Sequence, residues 1–427
     1  MSYSSVVKGV LRGIAGSMTA AAIVGSTVSA FAATPIARNA DFLNSIGINT
    51  HIIYTDSQYA NINAVISALS YTGVRLIRDV EPNPANAGQS SYAAIAAAGI
   101  RMDLFNGGDA PGGSPNPATS IAAIDALASK YPGSIHSVEG PNEINNGGVT
   151  YAGLTGIAGA QAYQASLYAN SRAMSALKQI PVYNMTNYPD TAGQSDYGNF
   201  HSYPNGLSSC GAGGLTANAA SQQKAMPTYS LVNTELGAST KPQSGSFDQV
   251  SQAKFLLSCL LDNAASGVRE TYFYQLFDAY ADPTGKKTQD HFGFFDSSYA
   301  PKTSATMLRN LNYWLADTGA NSTTFAPNPS AWTVKGLPST ARTLTLARSD
   351  GSTWIIVWNE VPIFTSANGG TPLNVPMGTI QFTLPATHQV VGVVDPVNGL
   401  NWWYSNANTV TCTNCGQGPV IFGISAK

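Results

Sequence analysis

The chain has 427 residues, of which only a tenth are charged, and its formal net charge is −2. This length exceeds what one hydrophobic core usually serves, so we expect a large domain and a smaller one. Without Lys8 and Arg12 of the N-terminal segment, 19 basic residues remain against 23 acidic ones, a net charge near −4. Because phosphate binding requires clustered lysine and arginine, this balance excludes nucleic acid and anionic membrane surfaces as partners.

The first 32 residues have the pattern of an export signal. Lys8 and Arg12 form a basic segment, residues 14–28 are small and apolar, and residues 30–32 form an A-x-A cleavage site. The apolar run is too short and too rich in alanine and glycine to span a bilayer comfortably, although an uncleaved leader or membrane anchor is the alternative. With cleavage after Ala32, we expect a secreted or periplasmic protein that does not bind membranes.

Four cysteines lie in the exported part of the chain. An oxidising compartment favours two local disulfides, Cys210 with Cys259 and Cys412 with Cys415. A zinc site is the alternative for the C-x-x-C pair, but no second pair or histidine cluster lies near it in sequence. We therefore expect disulfides and no structural metal.

From residue 46 to residue 315, short β-branched or apolar runs alternate with alanine-rich helical stretches. This pattern is typical of βα units around a parallel sheet, and eight such strands predict an α/β fold of the (β/α)8 TIM-barrel type. The predicted strands are residues 48–53, 74–78, 100–105, 135–139, 181–185, 199–203, 230–235 and 270–276. The predicted helices include residues 62–70, 120–130, 158–178 and 248–265.

After residue 315 the helical pattern stops and short alternating strands follow, which predicts a C-terminal β-sandwich domain. Residues 318–330 are rich in Asn, Ser, Thr and Pro, a composition typical of a domain boundary. We therefore divide the chain into a signal peptide (1–32), a barrel (33–317) and a β-sandwich (318–427). The predicted sandwich strands include residues 343–347, 353–358, 379–384, 389–394 and 420–424.

Two glutamates lie where a TIM barrel places its active site, at the carboxyl ends of the strands. Glu143 follows strand four in the sequence Gly-Pro-Asn-Glu, and Glu235 ends strand seven. Taken singly, each is more often a helix cap or a solvated charge. As a pair, they have the chemistry for retaining hydrolysis of a glycosidic bond, which needs two carboxyl groups about 5 to 5.5 Å apart.

The Asn-Glu pair after strand four, with a glutamate ending strand seven, resembles the glycoside hydrolases of clan A. The resemblance is strongest to families with an appended β-sandwich, such as family 39, and extends to family 5. It implies that Glu143 is the general acid/base, that Asn142 binds the sugar 2-hydroxyl and that Glu235 is the nucleophile.

Other strands carry further residues of this resemblance. Arg78, at the end of strand two, matches the arginine that neighbours the nucleophile, and a cation there would keep Glu235 ionised. His201 and Tyr203 match the His-x-Tyr that ends strand six; residues two apart share one side of a strand, so both can face the site. The tyrosine hydroxyl would donate to Glu235.

Strand eight departs from the clan pattern, because all six tryptophans lie at or after Trp314. We expect Tyr274 or Gln275 to line the sugar subsite instead of the tryptophan that clan members carry there.

Several other residues have two interpretations each. His51, placed on strand one, either contacts sugar or hydrogen-bonds inside the barrel. Asn106 and Asp109 are candidate ligand contacts, although turn formation explains them equally well. Glu139 lies on its strand and favours a structural role. The aromatic residues 402–404 favour packing in the sandwich over a sugar platform.

Together these features predict a secreted retaining glycoside hydrolase that cleaves a β-linked polysaccharide or oligosaccharide without metal or organic cofactor. Endo-action is favoured. The alternatives are an exo-acting β-glycosidase, a non-catalytic glycan-binding barrel and a structural envelope protein; both glutamates are present, which disfavours the last two.

Overall fold

The computed structural model describes residues 37–427 except 84–87, 108–114, 188–189, 208–209, 211–214, 242–245, 368 and 404–406. The predicted leader lies outside the described residues. Within them, no helix combines the length and the apolar character needed to cross a bilayer.

Eight parallel strands form the barrel, in the spatial order β5-β4-β3-β2-β1-β8-β7-β6. A parallel bridge between Tyr183 and Tyr197 joins β5 to the segment that enters β6 and so closes the ring. The strands are almost wholly buried, as expected for a parallel sheet covered by helices. Their bounds are β1 Ile46–Asn49, β2 Leu76–Val80, β3 Arg101–Phe105, β4 Ile135–Glu139, β5 Val182–Tyr183, β6 Gly198–Ser202, β7 Leu231–Gly237 and β8 Thr271–Tyr274.

Helices connect the barrel strands, and polar side chains start several of them. Asn61, Asn116 and Asp248 each accept hydrogen bonds from backbone N–H groups of the first turn, which satisfies donors that have no partner inside the helix. Gly73, at φ +81°, ends the second helix in a left-handed conformation that glycine adopts readily. The helices are α1 Asn39–Asn44, α2 Ile62–Thr72, α3 Gln89–Ala97, α4 Pro117–Lys130, α5 Ile144–Gly147, α6 Gly156–Ala173, α7 Leu215–Ala225, α8 Gln249–Ala265 and α9 Thr303–Leu315.

The C-terminal strands form two facing antiparallel sheets, as predicted for a β-sandwich. One has the order β10-β11-β18-β15-β16 and the other β17-β14-β9, while β12 and β13 form a separate hairpin. The fold is therefore a TIM barrel followed by a sandwich. The strands are β9 Thr333–Lys335, β10 Ala341–Ala347, β11 Thr353–Asn359, β12 Phe364–Ser366, β13 Gly369–Pro372, β14 Gly378–Thr383, β15 His388–Asp395, β16 Leu400–Trp403, β17 Thr409–Cys415 and β18 Val420–Ala426.

The sandwich has an apolar core to which both sheets contribute. Ile355 and Phe422 from the larger sheet pack with Ile380 and Phe382 from the smaller one, and all four side chains are fully or almost fully buried. The rings of Phe382 and Phe422 lie 4.1 Å apart between centroids. This interlocking of the two inner faces excludes water from the space between the sheets.

The two predicted disulfides are present. Cys210 pairs with Cys259 and Cys412 with Cys415, so all four cysteines are oxidised and the zinc interpretation of the C-x-x-C pair is wrong. The first bridge ties the loop after β6 to the buried side of α8, and the second links two residues of β17.

Four predicted C-terminal boundaries extend at least two residues too far. Strand five ends at Tyr183 rather than at residue 185. Strand one ends at Asn49, before residue 53, because the chain turns from Ile52 onward. Helix α6 ends at Ala173 rather than at residue 178, since Met174 adopts an extended conformation. Strand eight ends at Tyr274 rather than at residue 276. In each case the apolar composition continues beyond the last regular hydrogen bond.

Candidate active site

Arg78 organises the mouth of the barrel. From the end region of β2, its Nε and Nη2 donate to the two oxygens of Glu139 at 2.8 and 2.7 Å. Nη2 also donates to Asn142 Oδ1 at 2.7 Å, while Nη1 donates to Asn49 Oδ1 at 2.9 Å and to Glu235 Oε1 at 2.7 Å. A guanidinium has five N–H groups, so these five bonds use all of them.

Glu235 lies on β7 with both carboxylate oxygens engaged. Oε1 accepts from Arg78, and Oε2 accepts from the hydroxyl of Tyr203, as the sequence analysis predicts. The residue is only 6% exposed. Tyr203 is exposed overall, but desolvation of its hydroxyl group and the adjacent carboxyl group of Glu235 raise its pKa above the ordinary value, so the phenol stays protonated and donates.

Glu143 begins the short helix α5 in a left-handed backbone conformation, with φ +41° and ψ +56°. Such a conformation is uncommon outside glycine, and in proteins it concentrates at functional sites. Thr186 holds it: the Glu143 N–H donates to Thr186 Oγ1 at 2.8 Å, and the next N–H, of Ile144, donates to the Thr186 carbonyl at 3.0 Å. The loop after β5 thus orients the side chain of Glu143.

The two glutamates face each other across the mouth. A carboxylate oxygen of Glu143, one of Glu235 and a ring nitrogen of His201 all lie within 4.8 Å of one another. Inverting glycosidases hold their carboxyl groups about 6.5 to 9.5 Å apart, whereas retaining ones hold them about 5 to 5.5 Å apart. The approach of one oxygen of each glutamate to within 4.8 Å is compatible with the shorter of these separations.

His201 links the two glutamates. Its Nδ1 lies 2.9 Å from Glu143 Oε1 and 3.7 Å from Glu235 Oε2, and its Nε2 lies 3.1 Å from Thr234 Oγ1. The Thr234 hydroxyl in turn donates to Asn199 Oδ1 at 2.9 Å. These hydrogen bonds connect Asn199 inside the barrel, through Thr234 and His201, to Glu143.

The charges at the mouth shift several pKa values. Burial disfavours ionisation of Glu139, but its ion pair with Arg78 outweighs burial and lowers its pKa. The hydrogen bond with His201 lowers the pKa of Glu143 to about 2. Burial raises the pKa of Asp79 to about 7, against hydrogen bonds from Thr50 and two backbone N–H groups.

A cavity of about 440 Å³ opens above these residues. Asn142 lines it with its Oδ1 fixed by Arg78, an orientation that leaves the Nδ2 hydrogens to donate toward a ligand. Besides Glu143 and Glu235, aromatic and polar side chains form its wall: His51, Tyr54, Asp79, Phe105, Tyr203, Tyr274, Gln289 and Phe292. Such a mixture of aromatic faces and few polar groups is typical of sugar-sized sites.

His51 lines this cavity, but it does not lie on strand one as predicted. It follows β1 by two residues and stacks on Tyr54 with ring centroids 4.6 Å apart. Its Nε2 is buried and has no hydrogen-bond partner among the described residues. Burial lowers the pKa of His51 to about 3, and the nearby charge of Arg78 adds to this, so the ring is neutral.

Two predicted contact residues point elsewhere. Gln275 is buried and accepts from the Tyr59 hydroxyl at 2.9 Å, outside the cavity wall; a cis peptide bond joins it to Tyr274, which does line the cavity. Asn106 is fully buried and donates to the Glu139 carbonyl at 2.9 Å. Both serve the scaffold. Asp109 and the side chains of residues 402–404 lie outside the described residues.

Sequence reasoning missed several residues of the site. Asn49 and Asp79 end or adjoin barrel strands, so the strand-end rule that identifies Arg78 would also have selected them. Thr234 and Asn199 lie inside the barrel strands, where polar residues interrupt an apolar pattern. Gln289 comes from the loop after β8, which has no periodicity to reveal it.

Glu143, His201 and Glu235 are the group among the described residues that could supply three metal ligands. Zinc bound by such ligands needs each donor atom about 2.0 to 2.2 Å from the ion. Here Arg78 and Tyr203 already occupy both oxygens of Glu235, and the cation of Arg78 supplies the positive charge that a metal would. The donor set therefore fits a hydrogen-bonded carboxylate pair rather than a metal site.

The fold resembles three solved glycosidases. One is a family 39 glycoside hydrolase from Bacteroides cellulosilyticus WH2, with TM-score 0.59 and 14% identity over 91% of this chain and 82% of that one. Another is a monomeric β-xylosidase from Caulobacter crescentus CB15, with TM-score 0.56 and 13% identity over 92% and 98%. The third is a family 39 enzyme from Xanthomonas axonopodis pv. citri, with TM-score 0.51 and 14% identity over 92% and 96%.

No protein-family model and no curated protein matches the sequence. At identities this low, the structural likeness establishes the fold. The chain has the fold of these family 39 glycoside hydrolases over about nine-tenths of its length.

Proposed function

We propose that the protein is a retaining β-glycosidase in which Glu235 is the nucleophile and Glu143 the general acid/base. The observation that carries this proposal is the approach of the two carboxylates to within 4.8 Å at the mouth of the barrel. Their different surroundings support the proposed roles. Glu235 accepts from a guanidinium with no spare donor, whereas Glu143 shares a hydrogen bond with the imidazole of His201.

The hydrogen-bond partners of Thr234 and His201 support the presence of a proton between His201 and Glu143. Thr234 has one hydroxyl hydrogen and two neighbouring acceptors for it, Asn199 Oδ1 at 2.9 Å and Glu139 Oε1 at 3.3 Å. The amide group of Asn199 donates to the Asn184 carbonyl, which fixes Oδ1 as the acceptor. Thr234 Oγ1 must then accept from His201 Nε2–H. A neutral imidazole with its hydrogen on Nε2 has a bare Nδ1, so the 2.9 Å contact with Glu143 requires one further proton.

That proton lies on His201 or on Glu143. The lowered pKa of Glu143 places it on the imidazole in the free site, as an ion pair. The short hydrogen bond allows it to pass to Glu143 when a glycosidic oxygen binds beside the carboxyl group. The Glu143–His201 pair thereby holds the proton that the departing sugar oxygen needs.

The geometry supports a double displacement. Glu235 attacks the anomeric carbon as Glu143 protonates the leaving oxygen, and a glycosyl-enzyme forms. Asn142 donates from Nδ2 to the sugar 2-hydroxyl, a hydrogen bond that strengthens in the transition state. Glu143, now ionised, then takes a proton from water, which attacks the same carbon and releases the sugar with its configuration retained.

The substrate is proposed to be a β-linked polysaccharide or oligosaccharide. The sequence favours endo-action; the cavity of about 440 Å³ favours the alternative of an exo-acting enzyme, because a volume near the lower end for ligand sites suits a chain end. The lengths of the products separate these two modes.

The remaining parts of the proposal concern location and domain division. The paired cysteines support secretion after cleavage at Ala32, because disulfides persist in oxidising compartments. The division into a barrel up to residue 317 and a sandwich from residue 318 is supported by the change from α9 to antiparallel strands.

The proposed function is tested by assaying the full-length mature chain against aryl β-glycosides and a panel of β-linked polysaccharides. Release of reducing sugar by the unaltered protein, and its loss in Glu235→Gln, is the expected result. A polysaccharide that binds but is never cleaved would instead favour the non-catalytic glycan-binding barrel.

A further inference from the structure

Carboxyl groups outnumber guanidinium and ammonium groups in the wall of the cavity among the described residues. Asp79, Glu143 and Glu235 all contribute carboxyl groups to its wall, and Arg78 is the one guanidinium or ammonium group that lines it within the described residues. A ligand that carries its own negative charge would need a cation with free donors to replace the water it loses.

Arg78 has no free donor. Its five N–H groups are all directed to protein oxygens, three of which belong to the carboxyl groups of Glu139 and Glu235, and Arg78 is 2% exposed. Recruiting it to a ligand carboxylate would displace one of these acceptors. Loss of a bond to Glu139 or Glu235 would weaken the compensation of a buried carboxylate, and loss of the bond to Asn49 or Asn142 would leave an amide oxygen without its donor.

His51 does not supply a cation either. Its ring lies against Tyr54 and Tyr274, and its buried Nε2 has no partner among the described residues. Since burial keeps the imidazole neutral, this nitrogen offers one hydrogen bond to a hydroxyl and no charge to an anion. A sugar hydroxyl that lies within reach would satisfy it.

The residues of the barrel that lie outside the described ones add no cationic side chain. Residues 84–87, 108–114, 188–189, 208–209, 211–214 and 242–245 include no lysine, arginine or histidine, and their one charged residue is Asp109. Lys286 and Lys287 are exposed on the loop that supplies Gln289, and neither lines the cavity.

We propose that the sugar held beside Glu235 is uncharged, so that the enzyme takes neutral glycosides and rejects uronides and sulfated sugars. This inference rests on the proposed function and narrows its substrate class. It follows from a saturated arginine, a neutral histidine and three carboxyl groups around one cavity.

The test compares matched pairs of p-nitrophenyl β-glycosides: glucoside with glucuronide, and galactoside with galacturonide, with the xyloside as a neutral sugar that lacks the sixth carbon. We expect the best neutral substrate to exceed every uronide by at least about 10³-fold in kcat/KM, as for a site that leaves a buried charge unpaired. Calorimetric titration with the same compounds measures binding independently of turnover.

A gain-of-charge variant sharpens the test. Gln289 is exposed at the cavity wall, so Gln289→Arg adds a cation with free donors, whereas Gln289→Met is an uncharged control of similar length. We expect the arginine variant, but not the methionine variant, to raise the ratio of uronide to neutral kcat/KM by at least about tenfold.

A uronide cleaved or bound within tenfold of its neutral partner overturns the inference and leaves the proposed function standing. An unchanged ratio in Gln289→Arg also overturns it, because a missing cation would then not be the cause. If no glycoside is bound or cleaved at all, the proposed function fails and this inference falls with it.

Discussion

The mouth of the barrel and the core of the sandwich are both formed by buried β-strands, but their side chains have opposite chemistry. At the mouth, Arg78, Glu139 and Glu235 are charged and almost inaccessible to water. In the sandwich, Ile355, Phe382 and Phe422 fill the space between two sheets without a charge among the described members of that core.

The comparison indicates that reactivity depends on the residues at the mouth of the barrel, whereas the apolar core of the sandwich contributes to stability. Replacing buried ion pairs by apolar residues is often neutral or stabilising in proteins. The charged residues at the mouth are therefore not explained by their contribution to folding stability. They form an arrangement in which one carboxyl group accepts from a guanidinium and the other lies 2.9 Å from an imidazole nitrogen. Substitutions at the mouth should therefore change activity most, and substitutions in the sandwich core should change stability most.

The largest effect is expected for Glu235→Gln. The amide cannot attack the anomeric carbon, so kcat should fall by at least about 10⁴-fold on every substrate, with no recovery on adding azide. Asp350→Asn, in an exposed turn of the sandwich, is the matched control and should keep wild-type activity. Initial rates on aryl and natural glycosides measure both, and substantial activity in Glu235→Gln would remove the nucleophile assignment.

The loss of activity in Glu143→Ala is expected to depend on the leaving group of the substrate. Activity on natural glycans should fall by about 10²- to 10⁴-fold, because a poor leaving group needs a proton, while aryl glycosides should still form the intermediate. Azide fits the space left by the side chain, needs no deprotonation, and should restore turnover with a β-configured glycosyl azide as product. An α-azide, identified by NMR, would contradict the assigned roles.

Phe422→Ala tests the other side of the comparison. The ring is fully buried between the two sheets, so its removal should lower the free energy of unfolding by about 3 to 5 kcal/mol. The kcat of the folded fraction should stay within about twofold of wild type, since the change is remote from the mouth. Denaturant unfolding and activity below the transition measure the two effects, and a large loss of kcat in the folded state would break the separation.

The smallest expected effect concerns Thr234→Val. Without the hydroxyl oxygen, His201 Nε2 loses its acceptor, and the imidazole can place its hydrogen on Nδ1 and donate to an ionised Glu143. The shared proton is then held less tightly and is lost at lower pH. The basic limb of the kcat/KM profile should move to lower pH by about 0.5 to 1 unit, a shift that corresponds to the free energy of one hydrogen bond. The position of the acid limb should not change.

Thr409→Val, at an exposed position of β17, is the control for this variant and should leave both limbs in place. A basic limb that does not move in Thr234→Val would show that the tautomer of His201 does not depend on Thr234.

How much of the fold and of the candidate site could be predicted from the sequence depends on the kind of sequence pattern. The TIM barrel and the sandwich were predictable because strand and helix periodicities differ, and β4 has the predicted bounds. Arg78, Glu143, His201, Tyr203 and Glu235 were predictable as candidates because parallel strands bring their carboxyl ends to one face. The structure places all five together, within one network of hydrogen bonds.

Side-chain direction at strand ends was not predictable. Gln275 follows Tyr274 directly and yet points away from the cavity, and Asn106 binds the backbone of a neighbouring strand instead of a ligand. His51 lines the cavity from a turn, not from a strand, because β1 stops two residues earlier. Gln289 comes from a loop, and no pattern in the sequence directs it to the cavity wall.

The central claim is that Glu143 and Glu235 form a retaining pair. Proton NMR of the anomeric signals during hydrolysis of an accepted aryl β-glycoside tests it most directly, before mutarotation mixes the anomers. Two successive displacements at the anomeric carbon predict that the β-anomer of the free sugar appears first. If the α-anomer appears first, the reaction inverts configuration, and the assignment of Glu235 as a covalent nucleophile is wrong.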